Sequence, residues 1–345
     1  MRLITIAIAM ILIGAGAFVV FGGSSSPETD DGRTVLQYDD YVEFSTFASY
    51  PVTSSGTLNL VSMGGTNYVH AADIGHGSVT YTDGSTELFK VTKANLSVYM
   101  IAGQSNAAYR DVGIDPTMIT GLRPGTAYYY GTSTEPSNSI GGANMSSDTS
   151  SYWIWPMVSN DGTAKIGGID APLAADLVTD DEKIMIVNTA VGGTLISTWV
   201  PGERTYERAK ILFNDALNKI DNSRFNVTVK SYIWVQGEQD TATPIDSYIS
   251  SFLEMHDAFT TGGVFSFKPL QKAFIAQTRA YNGVNSSVAQ AELPTLDSTI
   301  ILATTVTQTF TVANGMLTSD NIHYSQAGRI VVAYEVAIKI RSIAT

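Results

Sequence analysis

The sequence predicts a doubly wound α/β domain over residues 94–345, reached through a small β-rich region and an apolar N-terminal segment. Three observations carry this expectation. From Leu96 onward, five apolar runs too short for ordinary helices punctuate the chain. Longer stretches of helical periodicity separate the last of them. Several runs end in glycine-rich or polar clusters, where an open sheet of this kind binds its ligands.

The elements follow in chain order. Residues 1–22 read as a transmembrane anchor or a signal peptide. Residues 3–21, LITIAIAMILIGAGAFVVF, carry no charge, and at ~1.5 Å per residue they approach the ~30 Å core of a bilayer. Arg2 precedes this run and Glu28, Asp30 and Asp31 follow it, which places the remainder outside. The small residues 14–17 lie within the run rather than after it, favouring a retained anchor over a cleaved signal. The expected location is the cell surface, membrane-anchored and facing outside, with secretion as the alternative. Residues 23–33 are expected to be a flexible linker. Four Asn-x-Ser/Thr sequons, at Asn95, Asn144, Asn226 and Asn285, fit an external glycoprotein.

Residues 34–93 alternate valine, threonine and tyrosine around turn signals such as Asp83-Gly84 and form a β-rich region. His70 and His76 lie there without a third metal ligand, so they read as strand histidines. Buried parallel strands are expected at 97–102, 183–188, 229–236, 273–276 and 299–303. Helices are expected at 206–220, 245–259, 284–293 and 330–340. The Gly-, Ser-, Thr-, Tyr- and Pro-rich stretch 111–156 reads as a long loop framing a site.

Composition narrows the function. The 345 residues are 44% apolar and 15% charged, enough for a sizeable core. Acidic residues outnumber basic ones 32 to 20, and the net charge of −12 argues against a nucleic-acid partner. There is no cysteine, which excludes disulfides, thiolate metal sites and a cysteine nucleophile. No metal or other cofactor is expected.

Four clusters follow predicted strands or precede the last helix: Gly103-Gln104-Ser105-Asn106, Val191-Gly192-Gly193-Thr194, Gln236-Gly237-Glu238-Gln239-Asp240 and Asp320-Asn321-Ile322-His323. Together they supply an acyl-transfer site. Ser105, just past a buried strand, is the candidate nucleophile, and an alcohol needs a base within hydrogen-bond reach. His323 is that base, and Asp320, three residues earlier, can bend back to orient its ring. The N–H of Ser105, a backbone N–H of Gly192 or Gly193 and the amide of Gln236 are the expected oxyanion donors. Singly, each piece reads as a helix cap, a turn or a pair of solvated loop acids (Glu238 and Asp240). The ordered set does not.

Gly-Gln-Ser-Asn, Gly-Gly-Thr, Gln-Gly-Glu and Asp-x-x-His in this order resemble the sialate O-acetylesterase and acetylxylan esterase group, carbohydrate esterase family 6, of the SGNH hydrolases. The resemblance spans residues 96–345 and leaves out everything before Leu96. It implies a three-layer α/β/α, flavodoxin-like fold and metal-free, serine-dependent deacetylation of carbohydrates. Ser105 would be the nucleophile, His323 the base and Asp320 its orienting acid, with Gly193 or Gly192 and Gln236 at oxyanion positions. Ala107 stands where the group commonly has methionine. Gln104, Asn106, Glu238 and Trp199 are the expected substrate-binding residues, and Trp153 and Trp155 are further candidates for stacking on sugar rings. The expected partners are an acetylated carbohydrate substrate and, through the N-terminal segment, a membrane. The rival is a surface-anchored glycan-binding or adhesion protein on the same fold without turnover; a complete Ser–His–Asp set argues against it.

Overall fold

The computed structural model describes residues 29–30, 33–43, 50–63, 65–108, 122–132, 149–158, 168–261, 269–280 and 283–344. The expected anchor or signal at 1–22 and the sequon at Asn144 lie outside them. Among the described residues, no helix is long and apolar enough to cross a membrane.

The β-rich region builds a module with its own core. Strands β1 (Thr29–Asp30), β2 (Arg33–Gln37), β3 (Tyr41–Glu43), β4 (Pro51–Gly56), β5 (Leu58–Met63), β6 (Thr66–Ala71), β7 (Gly75–Tyr81) and β8 (Thr86–Thr92) form two sheets. One has the order β1-β2-β8-β7-β4 and the other β3-β6-β5. Alternation along β8 sends Phe89 and Val91 inward to meet Leu36, Leu58, Val69 and Val79. The linker expected at 23–33 is corrected only at its end, where Thr29 and Asp30 pair with Thr34 and Arg33; residues 23–28 and 31–32 lie outside the described residues. His70 and His76 fall on strands of different sheets.

A third sheet has seven strands: β9 (Ala94–Gly103), β10 (Ala127–Gly131), β11 (Trp153–Pro156), β12 (Lys183–Asn188), β13 (Phe225–Val235), β14 (Ala273–Ala276) and β15 (Ile300–Thr304). Their order is β11-β10-β12-β9-β13-β14-β15. All neighbours are parallel except β11, which pairs antiparallel at the edge. Helices α1 (Asp170–Leu177), α2 (Arg204–Lys219), α3 (Ile245–Thr260), α4 (Asn285–Leu296) and α5 (Gln326–Ala344) cover both faces. The pleat of β9 shows why. Leu96, Val98 and Met100 face a core with Leu212 of α2, Phe252 of α3 and Leu293 of α4. Tyr99 and Ile101 face the opposite core with Leu173 of α1 and Val336 of α5. The result is a three-layer α/β/α sandwich.

Two expectations need correction. The stretch 111–156 is not all loop, because its described parts carry β10 and β11. The AYYYG strand stays buried because each tyrosine hydroxyl finds an acceptor: Asp39 for Tyr128, the Thr132 carbonyl for Tyr129 and Asp215 for Tyr130. Helix α1 has no counterpart in the reading of the sequence. It is eight residues long, contains Pro172 and is buried on most sides, so it shows no amphipathic period.

The module docks against the starts of the parallel strands. Asp40 pairs with the largely buried Lys183 at 2.8 Å, and Asp39 accepts the Tyr128 hydroxyl. Lys93 Nζ donates to the Asn222 carbonyl at 2.8 Å, and Tyr38 packs edge-on against Phe225. The clusters predicted to carry chemistry lie at the other ends of the same strands.

Candidate active site

Strand β9 delivers Ser105. Gly103 ends the strand at φ +135°, and a Cβ there would come within 2.1 Å of the Val235 carbonyl oxygen. Only glycine allows β9 and β13 to approach so closely at the point where the chain turns. Gln104 N donates to that same carbonyl at 3.0 Å, and the N–H groups of Ala107 and Ala108 both close on the Gln104 carbonyl at 2.9 Å. Ser105 and Asn106 therefore begin a helical turn, where the first N–H groups have no partner within the helix.

The loop before α5 brings His323. Ser325 caps that helix through a hydrogen bond from Gly328 N to its Oγ, 3.1 Å. Just upstream, His323 sets Nε2 3.0 Å from Ser105 Oγ and Nδ1 2.5 Å from Asp320 Oδ2. The other carboxylate oxygen of Asp320 accepts from Thr318 Oγ1 at 2.7 Å, Ile322 N at 2.9 Å and His323 N at 3.0 Å. Partial burial opposes ionisation, yet the bonds from His323, Ile322 and Thr318 hold the carboxyl well below its ordinary range. Asp320 thus stays ionised beside the ring. Thr318 gave no signal in the sequence, and its role emerges only from this loop geometry.

Gly192 lies against the serine: a Cβ on it would stand 3.7 Å from Ser105 Cβ. Gly193 follows at φ +71° with open space around it. Among the described residues, no acceptor takes the backbone N–H of Ser105, Gly192 or Gly193. These three N–H groups, the Ser105 hydroxyl and the His323 ring thus share one corner.

Gln236 does not join them as a donor. It is fully buried; its Nε2 donates to the Thr194 carbonyl at 2.9 Å and to Asp240 Oδ2, and its Oε1 accepts from Tyr248 at 2.9 Å. Both amide hydrogens are spent. Gln236 instead pins Thr194, one residue past Gly193, from behind. Asp240 is likewise no solvated acid, being buried and accepting from Ile196 N at 2.9 Å and Thr243 Oγ1 at 2.8 Å.

The expected substrate contacts need similar revision. Trp199 is wholly buried, donates Nε1 to Thr194 Oγ1 at 3.1 Å and packs edge-on against Trp234, so it has no face to offer a sugar. Asn106 is also fully buried. Its Nδ2 donates to Glu238 Oε1 at 2.5 Å and to the Ile322 carbonyl at 3.2 Å, while its Oδ1 accepts from Tyr324 N at 2.8 Å. Those bonds staple the Ser105 turn to the loop bearing His323. Glu238 stands behind Asn106, and burial pushes its carboxyl up. Gln104 turns its Oε1 toward the N–H groups of Gly237 and Gln239, at 3.5 and 3.3 Å. Trp155 donates to the Gly131 carbonyl at 3.2 Å, whereas Trp153 is 56% exposed on the edge strand with Lys219 Nζ 5.4 Å from its ring. Among the described residues, no cluster of three or more His, Asp or Glu side chains is arranged to hold a metal ion.

A family model described as carbohydrate esterase, sialic acid-specific acetylesterase, matches residues 95–341. Comparison with curated proteins gives no match. Among solved structures, the crystal structure of NanS is similar at 17% identity and a TM-score of 0.50, over 73% of this chain and 99% of that one. A protein of Arabidopsis thaliana is similar at 17% identity and a TM-score of 0.47, over 71% and 98% of the two chains. A carbohydrate acetylesterase from Xanthomonas citri is similar at 17% identity and a TM-score of 0.46, over 90% and 73%. At such identity the likeness to NanS bears on the fold alone.

Proposed function

The chain belongs to the carbohydrate esterase family of sialic acid-specific acetylesterases, and on that premise we propose that it is a serine-dependent O-acetylesterase removing acetyl groups from glycans outside the cell. One observation carries the chemical part: the continuous chain from Ser105 Oγ through His323 to Asp320, with three unclaimed backbone N–H groups beside it. The substrate is a sialic acid or an acetylated polysaccharide. The extracellular location is supported by the apolar run at 3–21, the charges flanking it and the sequons.

The geometry supports the following sequence. Ser105 Oγ attacks the acetyl carbonyl carbon while its proton passes to His323 Nε2. The carbonyl electron pair becomes an oxyanion, held by the N–H groups of Ser105 and Gly192 or Gly193. Collapse expels the sugar oxygen, which takes the proton from His323 and leaves as the free hydroxyl. Water then gives a proton to His323 and attacks the acetyl-enzyme; acetate departs and Ser105 recovers its proton. Asp320 holds the ring in one tautomer and stabilises the imidazolium formed twice per cycle.

The test is acetate release from acetylated sialic acids and acetylated polysaccharides, compared for wild type and Ser105→Ala. Release that depends on Ser105 supports the reading; equal release by both proteins sinks it. For location, protease added to intact cells should free an active fragment, and full protection until lysis would refute the external placement.

A further inference from the structure

Three buried polar side chains meet beneath the nucleophile turn, outside the Ser105–His323–Asp320 chain. Asp170 is the first residue of α1, Asn188 the last of β12, and Arg329 lies in the first turn of α5. None is more than 1% exposed. Asn188 Nδ2 donates to the Ala107 carbonyl and to Asp170 Oδ2, both at 2.9 Å, while its Oδ1 accepts from Ala190 N at 3.1 Å. Arg329 Nη1 donates to the Ala108 carbonyl at 3.0 Å and its Nε to the Tyr324 carbonyl at 3.3 Å. Ala107 and Ala108 close the turn that carries Ser105, and Ala190 leads into Gly192. A single amide therefore spans both backbone segments that present the unclaimed N–H groups.

An amide alone can sit either way round. Flipped, Asn188 would set its oxygen against the Ala107 carbonyl and its NH2 against the Ala190 N–H, losing both bonds. Once ionised, as it is above about pH 7, Asp170 only accepts, so it takes the second Nδ2 hydrogen and rejects the flipped form. The arrangement is costly, because Asp170 Oδ1 is buried without a hydrogen-bond partner among the described residues. A buried acid kept under those conditions, two bonds from the nucleophile turn, points to a role beyond stability.

We propose that Asp170, acting through Asn188, is a positioning residue that fixes the spacing between the Ser105 and Gly192–Gly193 oxyanion donors. This rests on the serine-esterase reading above. Misplaced donors weaken transition-state binding and leave ground-state binding nearly untouched.

The test uses the full chain with p-nitrophenyl acetate as substrate and a trifluoromethyl ketone as inhibitor; Ser105 attack on the ketone gives a tetrahedral oxyanion. Asp170→Asn should lower kcat about tenfold and Asn188→Ala about a hundredfold, with KM nearly unchanged. The inhibition constant of the ketone should rise by the same factors. A purely structural role would lower the melting temperature and leave kcat and the ketone constant of the folded enzyme alone, which would overturn the proposal. So would a fall in kcat without a weaker ketone. Should Asn188→Ala not fold, the isosteric Asp170→Asn decides. Ser105→Ala separates the two levels: if it remains active, the esterase reading fails and the positioning role falls with it, whereas an inactive Ser105→Ala beside an unaffected Asp170→Asn removes only the positioning role.

Discussion

Replacing Asp170 with asparagine also measures what the buried carboxylate costs the fold. Burial pushes its carboxyl up to about 7 from an ordinary 3.8, against the opposing pull of Asn188 and Arg329. Between those two values the folded protein holds a proton that the unfolded chain has released. Stability contributed at this site is therefore lost as pH rises through the interval, and the loss is complete above about pH 7. At about 1.4 kcal/mol per pH unit, the three-odd units amount to about 4 kcal/mol as an upper figure. The amide in Asp170→Asn does not titrate. Equilibrium urea denaturation of both proteins, from about pH 4 to about pH 8, should show wild type losing a few kcal/mol relative to the variant. Taking the difference cancels the other titrating carboxyls, Glu238 and Asp320 among them, and any constant offset from the new NH2 group. A difference that stays flat across the range would refute the reasoning, because the carboxylate would then be solvated or matched by a partner.

Three further outcomes follow from the site. Asp320→Asn should cut kcat by about 10²–10⁴, since an amide nitrogen facing Nδ1 imposes the wrong tautomer; activity within a few-fold of wild type would move the orienting role elsewhere. Gln236→Ala should lower the melting temperature, at about 1–3 kcal/mol for each buried group it leaves unpaired, and leave kcat of the folded enzyme within about tenfold. A stable Gln236→Ala with kcat down by about 10²–10³ would return that amide to the oxyanion hole. Trp199→Ala should cost about 3–5 kcal/mol in denaturation with KM for acetylated glycans unchanged, and a raised KM at unchanged stability would put the ring back among the substrate contacts.

What the sequence disclosed depended on how local each signal was. Strands β12 and β14 match their expected bounds to the residue, because a parallel strand buried on both faces is an unbroken apolar run. The spacing of Asp320 and His323 was equally legible, since three residues within one loop suffice for the contact. Strands β10 and β11 were not: they are short, tyrosine- and tryptophan-rich, and separated by a long stretch. Helix α4 runs on to Leu296 past Pro294, where the sequence suggested a stop. The side-chain roles that were misread share one cause. Nothing in Gln-Gly-Glu says that both Gln236 hydrogens go to Thr194 and Asp240, and nothing near Trp199 says that Trp234 covers it. Arg329 directly and Asp170 by way of Asn188 bear on the Ser105 turn from helices distant in sequence, so only the folded chain places them there.

The docking of the β module has a directional consequence. The ten residues of β9 run from the module's contact surface to the turn before Ser105, about 30 Å at roughly 3.3 Å per residue. Ser105 therefore stands at the end of β9 remote from the module. The side of the domain that holds Ser105 is thus left clear of the module, and a bulky polymer can approach it from there. A carrier fused before Thr29, or a bead gripping it there, should leave turnover of even large glycans untouched.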